Sequence, residues 1–533
     1  MKFQDATAIE NNLRRYRPPL FVWLPASLVA LLVLLPPVYL GVRTFTAYEA
    51  AWELLANTRT LAIVGRSLLL VILVTTVSAV LGVSLAWLTV RTDLPLRRVF
   101  AVATALPLVI PSYVFAMLVV VALGPRGMLQ GWLEPLGVDR LPEIFGLPGA
   151  VLSLSLLSYP YVLLPVRAAL HGVDPAMEEA ARGLGRGAMA TFATVTLPLI
   201  RPAVVAGGLL AALYTLSDFG VVSLLRYQTF TWAIFIQYQT AFDRTAAAGL
   251  SLTLVGLAVS LLVLESRTRG RAVHYRVTPG MARRRIPISL GRWRWPALLY
   301  VATVCGVALL APLGILLFWV VRGVSAGEPL ALLWSNTLSS VTISMGAAAL
   351  TALAGIPIAV LVVRFPSRVA SALSRLTFVG FALPGVAVAL AFVFFATAVL
   401  PIVYQTALLL LLAYLVLFLP ASVGAIESSL RQLSPRLEEA ARGLGRTPAQ
   451  AFRSVTAPLL MRGILAGATL VFLLVMKELP ATLILSPLGF QTLATSVWGA
   501  ASEAFFARAA MPALMLVLTA SVPMAFLVTR EGR

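Results

Sequence analysis

Long apolar runs alternate with short polar segments along the whole chain. Each run is long enough for a helix to cross roughly 30 Å of hydrocarbon. The pattern therefore predicts twelve membrane spans, six in each half of the chain. They lie near residues 21–42, 61–90, 99–123, 147–170, 202–222 and 246–264, and near 296–320, 338–363, 376–399, 404–429, 463–485 and 507–529. Prolines inside several runs do not exclude helix, because neighbouring helices can satisfy the backbone groups that proline leaves free.

The composition fits a chain embedded in lipid. Of its 533 residues, 60% are hydrophobic and 12% are charged, whereas a soluble domain is about half apolar and a quarter charged. This excludes a soluble enzyme and a disordered chain. Cys305 is the single cysteine, which excludes a disulfide scaffold. With His171 and His274 as the only histidines, we expect no dedicated metal cage.

The formal net charge is +20, and the basic residues behind it are distributed unevenly along the chain. Most lysines and arginines lie in alternate loops, as the positive-inside rule describes for cytoplasmic segments. We therefore expect both termini in the cytoplasm, a lipid bilayer as the main environment and no nucleic-acid partner. The first span is interpreted as a retained helix, because no small-x-small cleavage site follows it. The basic loops are residues 1–20, 91–98, 167–201, 265–294, 364–375, 431–462 and 530–533.

An arginine-rich segment without a long apolar run, residues 265–295, separates the two halves. The predicted organisation is a first half over 1–264, this linker, and a second half over 296–533. Two interpretations of the linker stay open. It is either a solvated cytoplasmic connection resting on anionic headgroups or a regulatory or nucleic-acid-binding element.

An internal repeat relates the two halves. Residues 178–186 and 438–446 both read EEAARGLGR, and the same spacing relates Asp218 to Glu478. Other matching positions are Phe192 and Phe452, Thr196 and Thr456, and Pro198 and Pro458. The chain is therefore predicted to be two fused copies of a six-helix unit in the same orientation, an arrangement typical of transporters.

Both copies of the repeated motif fall in the loop between the fourth and fifth spans of their half, near 171–201 and 431–462. Asp174-Pro175 and Ser434-Pro435 predict helix starts, and Gly183 and Gly443 are expected to end those helices. A second short helix is then expected to end near Pro198 and Pro458. The product is an elbow outside the membrane, either an ordinary interfacial loop or a docking element whose small alanines permit close approach.

These residues resemble the EAA motif of ABC-importer permeases. The resemblance implies an all-α polytopic membrane protein of the type I, MetI-like architecture. It also implies two copies of a cytoplasmic ABC ATPase and a periplasmic or extracellular substrate-binding protein as partners. Each elbow would be a coupling helix that docks on one ATPase. By this resemblance the coupling residues are Glu178, Glu179, Ala180, Ala181, Gly183 and Leu184, and Glu438, Glu439, Ala440, Ala441, Gly443 and Leu444.

The chain itself has no ATPase motif. A P-loop needs a lysine followed by serine or threonine, but Lys2 precedes Phe3 and Lys477 precedes Glu478. No catalytic group and no cofactor are therefore expected on this chain. ATP and Mg would be bound by the partner ATPase.

Four stretches resemble the fused ferric-iron permeases of this family, which implies ferric iron as the cargo. Thiamine, a polyol or a small anion stay open as alternatives. The stretches are LPLVIPSYVFAM at 106–117, SYPYVLLPVRAAL at 158–170, SDFGVV at 217–222 and VMKELPATLIL at 475–485.

Charged residues inside predicted spans are the candidates for a translocation pathway: Asp218, Lys477 and Glu478. Such charges are costly unless they are paired or face water. On a helix, adjacent residues point about 100° apart, so Lys477 and Glu478 are expected to have separate partners, with Asp218 as a candidate. They either line a polar pathway or form a structural salt bridge.

Two other classes of protein share part of this pattern. A major-facilitator secondary transporter also has six plus six parallel helices, but RTDLPLRR at 91–98 lacks that family's signature after the second span. A membrane scaffold or sensor without transport is the other alternative, against which the intramembrane charges argue.

Overall fold

A computed structural model describes residues 18–46, 53, 57–240, 244–268, 287–328, 331–380, 383–434 and 436–531. Within these ranges the regular structure is helical. The first half contains α1 (Leu20–Thr46), α2 (Thr58–Arg91), α3 (Arg97–Ala103), α4 (Ser112–Leu123), α5 (Met128–Leu133), α6 (Leu147–Gly172), α7 (Pro175–Gly183), α8 (Ala188–Thr191), α9 (Leu197–Ser217), α10 (Gly220–Leu224), α11 (Phe230–Gln239) and α12 (Arg244–Thr268).

The second half contains α13 (Arg294–Cys305), α14 (Ala311–Ser325), α15 (Ala331–Arg364), α16 (Arg368–Val379), α17 (Gly385–Val399), α18 (Ala407–Gln432), α19 (Arg436–Gly443), α20 (Pro448–Ala451), α21 (Ala457–Met476), α22 (Pro480–Leu485), α23 (Leu493–Ser502) and α24 (Phe506–Glu531). Among the described residues, it repeats the order of the first half with two differences. It has no counterpart of α5 in that part of the chain, and α1 is replaced by two helices, α13 and α14, joined by a π-helical turn at Gly306–Leu310.

The predicted class, an all-α polytopic membrane protein, is confirmed. Among the described residues, 10 helices are long and apolar enough to cross a membrane, and Gly385–Val399 and Phe506–Ser521 are shorter apolar helices. Together they follow the order of the twelve predicted spans.

Four of the predicted spans are interrupted, which the apolar pattern did not reveal. The third and ninth spans break before α4 and α17, where Pro111 and Pro384 take the N-cap positions with ψ of 148° and 138°. Proline lacks the N–H that would continue the hydrogen-bond ladder. The fifth and eleventh spans end at Ser217 and Met476, and short helices α10 and α22 follow.

Close helix packing in the first half depends on two glycines. A Cβ on Gly82 of α2 would lie 2.8 Å from Val162 Cβ, and one on Gly207 of α9 would lie 2.6 Å from Val162 Cα. In lipid, helices associate mainly through such close van der Waals contact. The two glycines therefore let both α2 and α9 pack closely against α6 around Val162.

The two halves interlock through their first helices. Helix α1 packs against α15, α16 and α17 of the second half, and the Tyr39 hydroxyl donates to the Phe394 carbonyl at 3.1 Å. Conversely, α13 packs against α3, and the hydroxyls of Tyr300 and Ser84 lie 2.7 Å apart. The first span of each half thus packs against helices of the other half.

The end of the linker is pinned to the first half. Ile288 forms a parallel bridge with Thr92, its N–H donates to the Arg91 carbonyl at 2.8 Å, and the Leu290 N–H donates to Asp93 Oδ1 at 2.9 Å. We call residues 287–290 the strap. Residues 269–286 of the predicted linker lie outside the described ranges, and neither interpretation of the linker is tested.

Candidate functional site

The first elbow is the helix α7 with the turn that follows it. Asp174 caps the helix by accepting from the Ala176 N–H at 3.0 Å, as its position before a proline predicts. At the other end, the Leu184 N–H donates to the Ala180 carbonyl at 3.1 Å, and the Arg186 N–H donates to the Ala181 carbonyl at 3.2 Å. This bonding closes the helix with a glycine-dependent turn.

The elbow helices end at Gly183 and Gly443, as predicted, and the turn after each helix is made by the second glycine of the motif. Gly185 and Gly445 adopt φ of +85° and +84°, while Gly183 and Gly443 are the last residues of α7 and α19. A side chain at positive φ is strained, so the second glycine of each motif is the one that the backbone requires. Pro435, predicted to begin the second elbow helix, lies outside the described residues.

The second short helix does not end near Pro198 or Pro458, so that prediction was wrong. Helix α8 runs through a π-helical turn, Phe192–Thr196, directly into α9, and α20 does the same through Phe452–Thr456 into α21. The Leu197 N–H donates to the Phe192 carbonyl, five residues back. This shift of the hydrogen-bond register lets the helix pass the proline, which has no N–H to offer.

Glu178 ties the first elbow to two other elements. Its carboxylate forms an ion pair with Arg91, the last residue of α2, and accepts from the Thr196 hydroxyl at 2.7 Å. Glu178 and Arg91 are both buried. We call this three-residue contact the first latch.

Glu438 makes the corresponding second latch. Arg364, the last residue of α15, lies 3.1 Å from its Oε1, and the Thr456 hydroxyl donates to the same oxygen at 2.8 Å. The side chains of Arg364 and Glu438 are 12% and 28% exposed, against 5% and 10% for Arg91 and Glu178. The two latches thus share their chemistry but differ in burial.

The rest of each elbow faces outward. Glu179, Ala180, Glu439 and Ala440 are exposed, whereas Ala181 and Ala441 are buried against the bundle. Beyond the helices, Leu184 and Leu444 are 84% and 85% exposed. Each elbow therefore presents an apolar tip beside small and acidic residues, and this combination suits contact with another protein surface.

Arg91, Arg364, Thr196 and Thr456 were not predicted as site residues. A signal for them was present, because Thr196 and Thr456 occupy matching positions of the repeat. Arg91 and Arg364 likewise each follow the second apolar run of their half. The sequence did not indicate that these residues meet the glutamates of the motif.

Asp218 and Glu478 lie where the fifth and eleventh spans break. The Val221 N–H donates to Asp218 Oδ2 at 2.9 Å. Glu478 accepts from the Ala481 N–H at 2.9 Å and from the Thr482 N–H at 3.0 Å. Each carboxylate therefore caps the short helix that follows it, α10 or α22, where a negative charge is favoured by the free N–H groups.

Lys477 and Glu478 have separate hydrogen-bond partners, as expected, but the contact found for Lys477 is not the candidate Asp218. Lys477 Nζ donates to the Leu108 carbonyl of the first half at 3.0 Å. The carbonyl is available because Leu108 lies in the interrupted segment before α4, outside a regular α-helical ladder. Since Lys477 terminates α21, the 100° separation expected for adjacent helical residues does not apply to Lys477 and Glu478.

Two further contacts bring the broken spans together. A Cβ on Gly220 would lie 2.7 Å from Tyr113 Cβ, and one on Gly385 would lie 2.7 Å from Glu478 Oε1. The breaks at α4 and α10, and those at α17 and α22, therefore meet in pairs. The Tyr113 hydroxyl is buried beside the first pair without a hydrogen-bond partner among the described residues.

The arrangement joins an exposed elbow to a carboxylate within the bundle. In the first half, one unbroken helix runs from α8 to Ser217, with the latch residue Thr196 near its start and Asp218 at its end. The second half repeats this from α20 to Met476. In each half, one continuous helix thus connects the elbow to a polar position within the bundle.

Comparison with known proteins agrees with this architecture. The sequence model of the family described as binding-protein-dependent transport system inner membrane component matches residues 78–327 and 351–529. The chain is 32% identical over 513 residues to a protein of Haemophilus influenzae named Fe(3+)-transport system permease protein FbpB 2, covering 95% of this chain and 97% of that protein.

Shorter relatives match part of the chain. The molybdenum transport system permease protein ModB of Escherichia coli is 36% identical over 197 residues, 34% of this chain and 82% of that protein. The sulfate transport system permease protein CysW of Escherichia coli is 28% identical over 252 residues, 45% of this chain and 84% of that protein. The family model covers well over half of the chain in two successive matches, and the chain therefore belongs to the family of binding-protein-dependent ABC importer permeases, the multi-pass inner-membrane components of these systems.

Proposed function

We propose that this permease carries ferric iron inward across the membrane, driven by ATP hydrolysis on a separate ATPase subunit. The proposal rests on the Haemophilus influenzae relative named for Fe(3+) transport, which aligns over 95% of the chain. A binding protein on the outer side would deliver the iron, so the permease need not hold it tightly.

The elbows are the proposed contacts with the ATPase, one copy to each elbow. The observation that carries this assignment is the latch built twice from the same residue types, with Leu184 or Leu444 exposed beyond it. On this proposal Glu178 and Glu438 hold the elbows in place, while Glu179, Glu439 and the exposed alanines and leucines form the docking surface. Both termini would then be cytoplasmic, on the side of the basic loops.

The coupling proposed here runs along the fifth and eleventh spans. Closure of two ATPases would move the two elbows together, and the helices from α8 to α9 and from α20 to α21 would carry that movement to Asp218 and to Lys477 and Glu478. Broken helices whose short segments point N–H groups at a polar site are a recurring feature of transporters. We therefore assign these three residues to the translocation pathway or its gate.

Uptake of labelled ferric iron tests cargo and coupling together. A strain that lacks the chromosomal gene, and that expresses the ATPase and binding protein, would carry wild type, Gly443→Asp or Gly443→Ala. A Cβ on Gly443 would meet no atom within 4 Å, so both variants are expected to fold. Wild type and Gly443→Ala should restore uptake, and Gly443→Asp should not, because its charge lies on the docking surface.

Each part of the proposal has its own contrary outcome. Undiminished uptake by Gly443→Asp would remove the elbow from the coupling mechanism. Uptake that survives ATP depletion while the proton gradient remains would indicate a secondary transporter.

A small oxyanion is the second candidate cargo, because the molybdenum and sulfate permeases align with part of the chain. The same strains should be tested with labelled molybdate and sulfate. ATP-dependent oxyanion uptake without iron uptake would replace the cargo and leave the rest of the proposal standing.

A further inference from the structure

A basic cavity lies beside the first elbow, with a volume of about 570 Å³. Arginines and a histidine from α2, α3, α6 and α7 converge on it, and the strap forms one wall. Its charged and titratable lining residues are Arg91, Arg97, Arg98, Arg167, His171, Glu178, Glu179 and Arg182.

The arginines of this cavity are only partly neutralised. Glu178 is engaged with Arg91 in the first latch, and Arg91 Nε is buried without a hydrogen-bond partner among the described residues. Arg167 donates to the Ala101 carbonyl at 2.5 Å. A backbone carbonyl fixes the position of a guanidinium but carries no full charge, so the cavity keeps an excess of positive charge that favours an anion.

The internal repeat shows that the elbow does not require this charge. The position that matches Arg167 is Glu427, which pairs with Arg431 one turn later, and Arg431 matches His171. The second half thus places an ion pair where the first half places two basic groups. The first half therefore carries a basic cavity that the shared elbow architecture does not explain.

We propose that this cavity binds a phosphate group, supplied either by the headgroup of an anionic lipid or by a soluble phosphate compound. Guanidinium groups bind phosphate oxygens in bidentate pairs. Two neighbouring guanidinium groups line this cavity, those of half-buried Arg97 and exposed Arg98. Because the strap lines the same cavity, the bound phosphate stabilises the contact between the linker and the first elbow. An effect on transport depends on the coupling role proposed above, but binding does not.

Binding is measured on the full chain in nanodiscs, with two arms. In the first arm, inorganic phosphate is titrated into nanodiscs of phosphatidylcholine, and the thermal unfolding temperature is followed. In the second arm, phosphate-free nanodiscs contain phosphatidylglycerol, and native mass spectrometry counts the lipids retained after release from the disc.

The test variant is Arg97→Gln with Arg98→Gln. Its matched control is Arg368→Gln with Arg375→Gln. These two exposed arginines lie on α16, the helix of the second half that corresponds to α3, and they line a recess formed by α16 alone. We expect the test variant to weaken binding about tenfold or more in at least one arm, and the control to match wild type.

A response in the first arm identifies a soluble phosphate and a response in the second identifies a lipid headgroup. If the test and control variants lose binding equally, the binding is due to general surface charge and the proposed site is wrong. The absence of binding in both arms would also overturn the proposal. Since neither arm measures transport, a wrong cargo or a wrong coupling mechanism would leave these outcomes unchanged.

Discussion

The two latches provide a direct test of how burial sets the strength of an ion pair. Glu178→Gln removes one negative charge but keeps an oxygen that can accept from Thr196. Arg91, with a side chain only 5% exposed, is then left as a buried cation without its counter-ion. Breaking a buried pair on one side costs about 3–5 kcal/mol. Glu438→Gln acts on a carboxylate that is 28% exposed, and we expect a smaller cost of about 1–2 kcal/mol.

Hydrogen exchange of the elbow amides in nanodiscs measures these costs as free energies of local opening. We expect exchange in the first elbow to accelerate about a hundredfold or more with Glu178→Gln. The second elbow should accelerate by about tenfold with Glu438→Gln. In each variant the unaltered elbow serves as the internal control.

A double variant separates the ion pair from other effects of the substitution. Arg91→Gln with Glu178→Gln removes both charges, so it should be less unstable than the sum of the two single variants, with a coupling energy of about 1–3 kcal/mol. Additive costs, or equal costs for Glu178→Gln and Glu438→Gln, would refute the argument that burial governs the latches.

Three further predictions concern single positions. Gly185→Ala should cost about 1–2 kcal/mol because of its positive φ and speed proteolysis of the first elbow. Gly443→Ala, at the last residue of α19, should leave the second elbow at least as resistant to proteolysis. Gly207→Leu should lower the thermal unfolding temperature in detergent, since overpacking costs about 1–3 kcal/mol. The control is Gly256→Leu, because a Cβ at Gly256 would meet no atom within 4 Å. Glu478→Ala should reduce uptake while the ATPase still co-purifies; release of the ATPase or loss of the folded protein would instead favour a structural role.

The order of the spans and the parallel repeat were predictable because they depend on local signals. A run of apolar residues must lie in the bilayer wherever the rest of the chain goes, and a duplicated motif such as EEAARGLGR needs no structure to be seen. The same signals could not place the breaks at Pro111 and Asp218. The sequence of an apolar run looks the same whether its helix is continuous or interrupted, and proline is tolerated in both cases.

The candidate site divides in the same way. The sequence by itself determined the elbows and the unusual charges inside spans, since both stand out from their local surroundings. Only the tertiary structure decided their partners. Glu178 meets Arg91 across a long stretch of chain, and Lys477 reaches Leu108 of the other half. Such contacts depend on how the helices pack and on the first spans, each of which packs against the opposite half. The pattern of residues along the chain does not specify which distant residues this packing brings together.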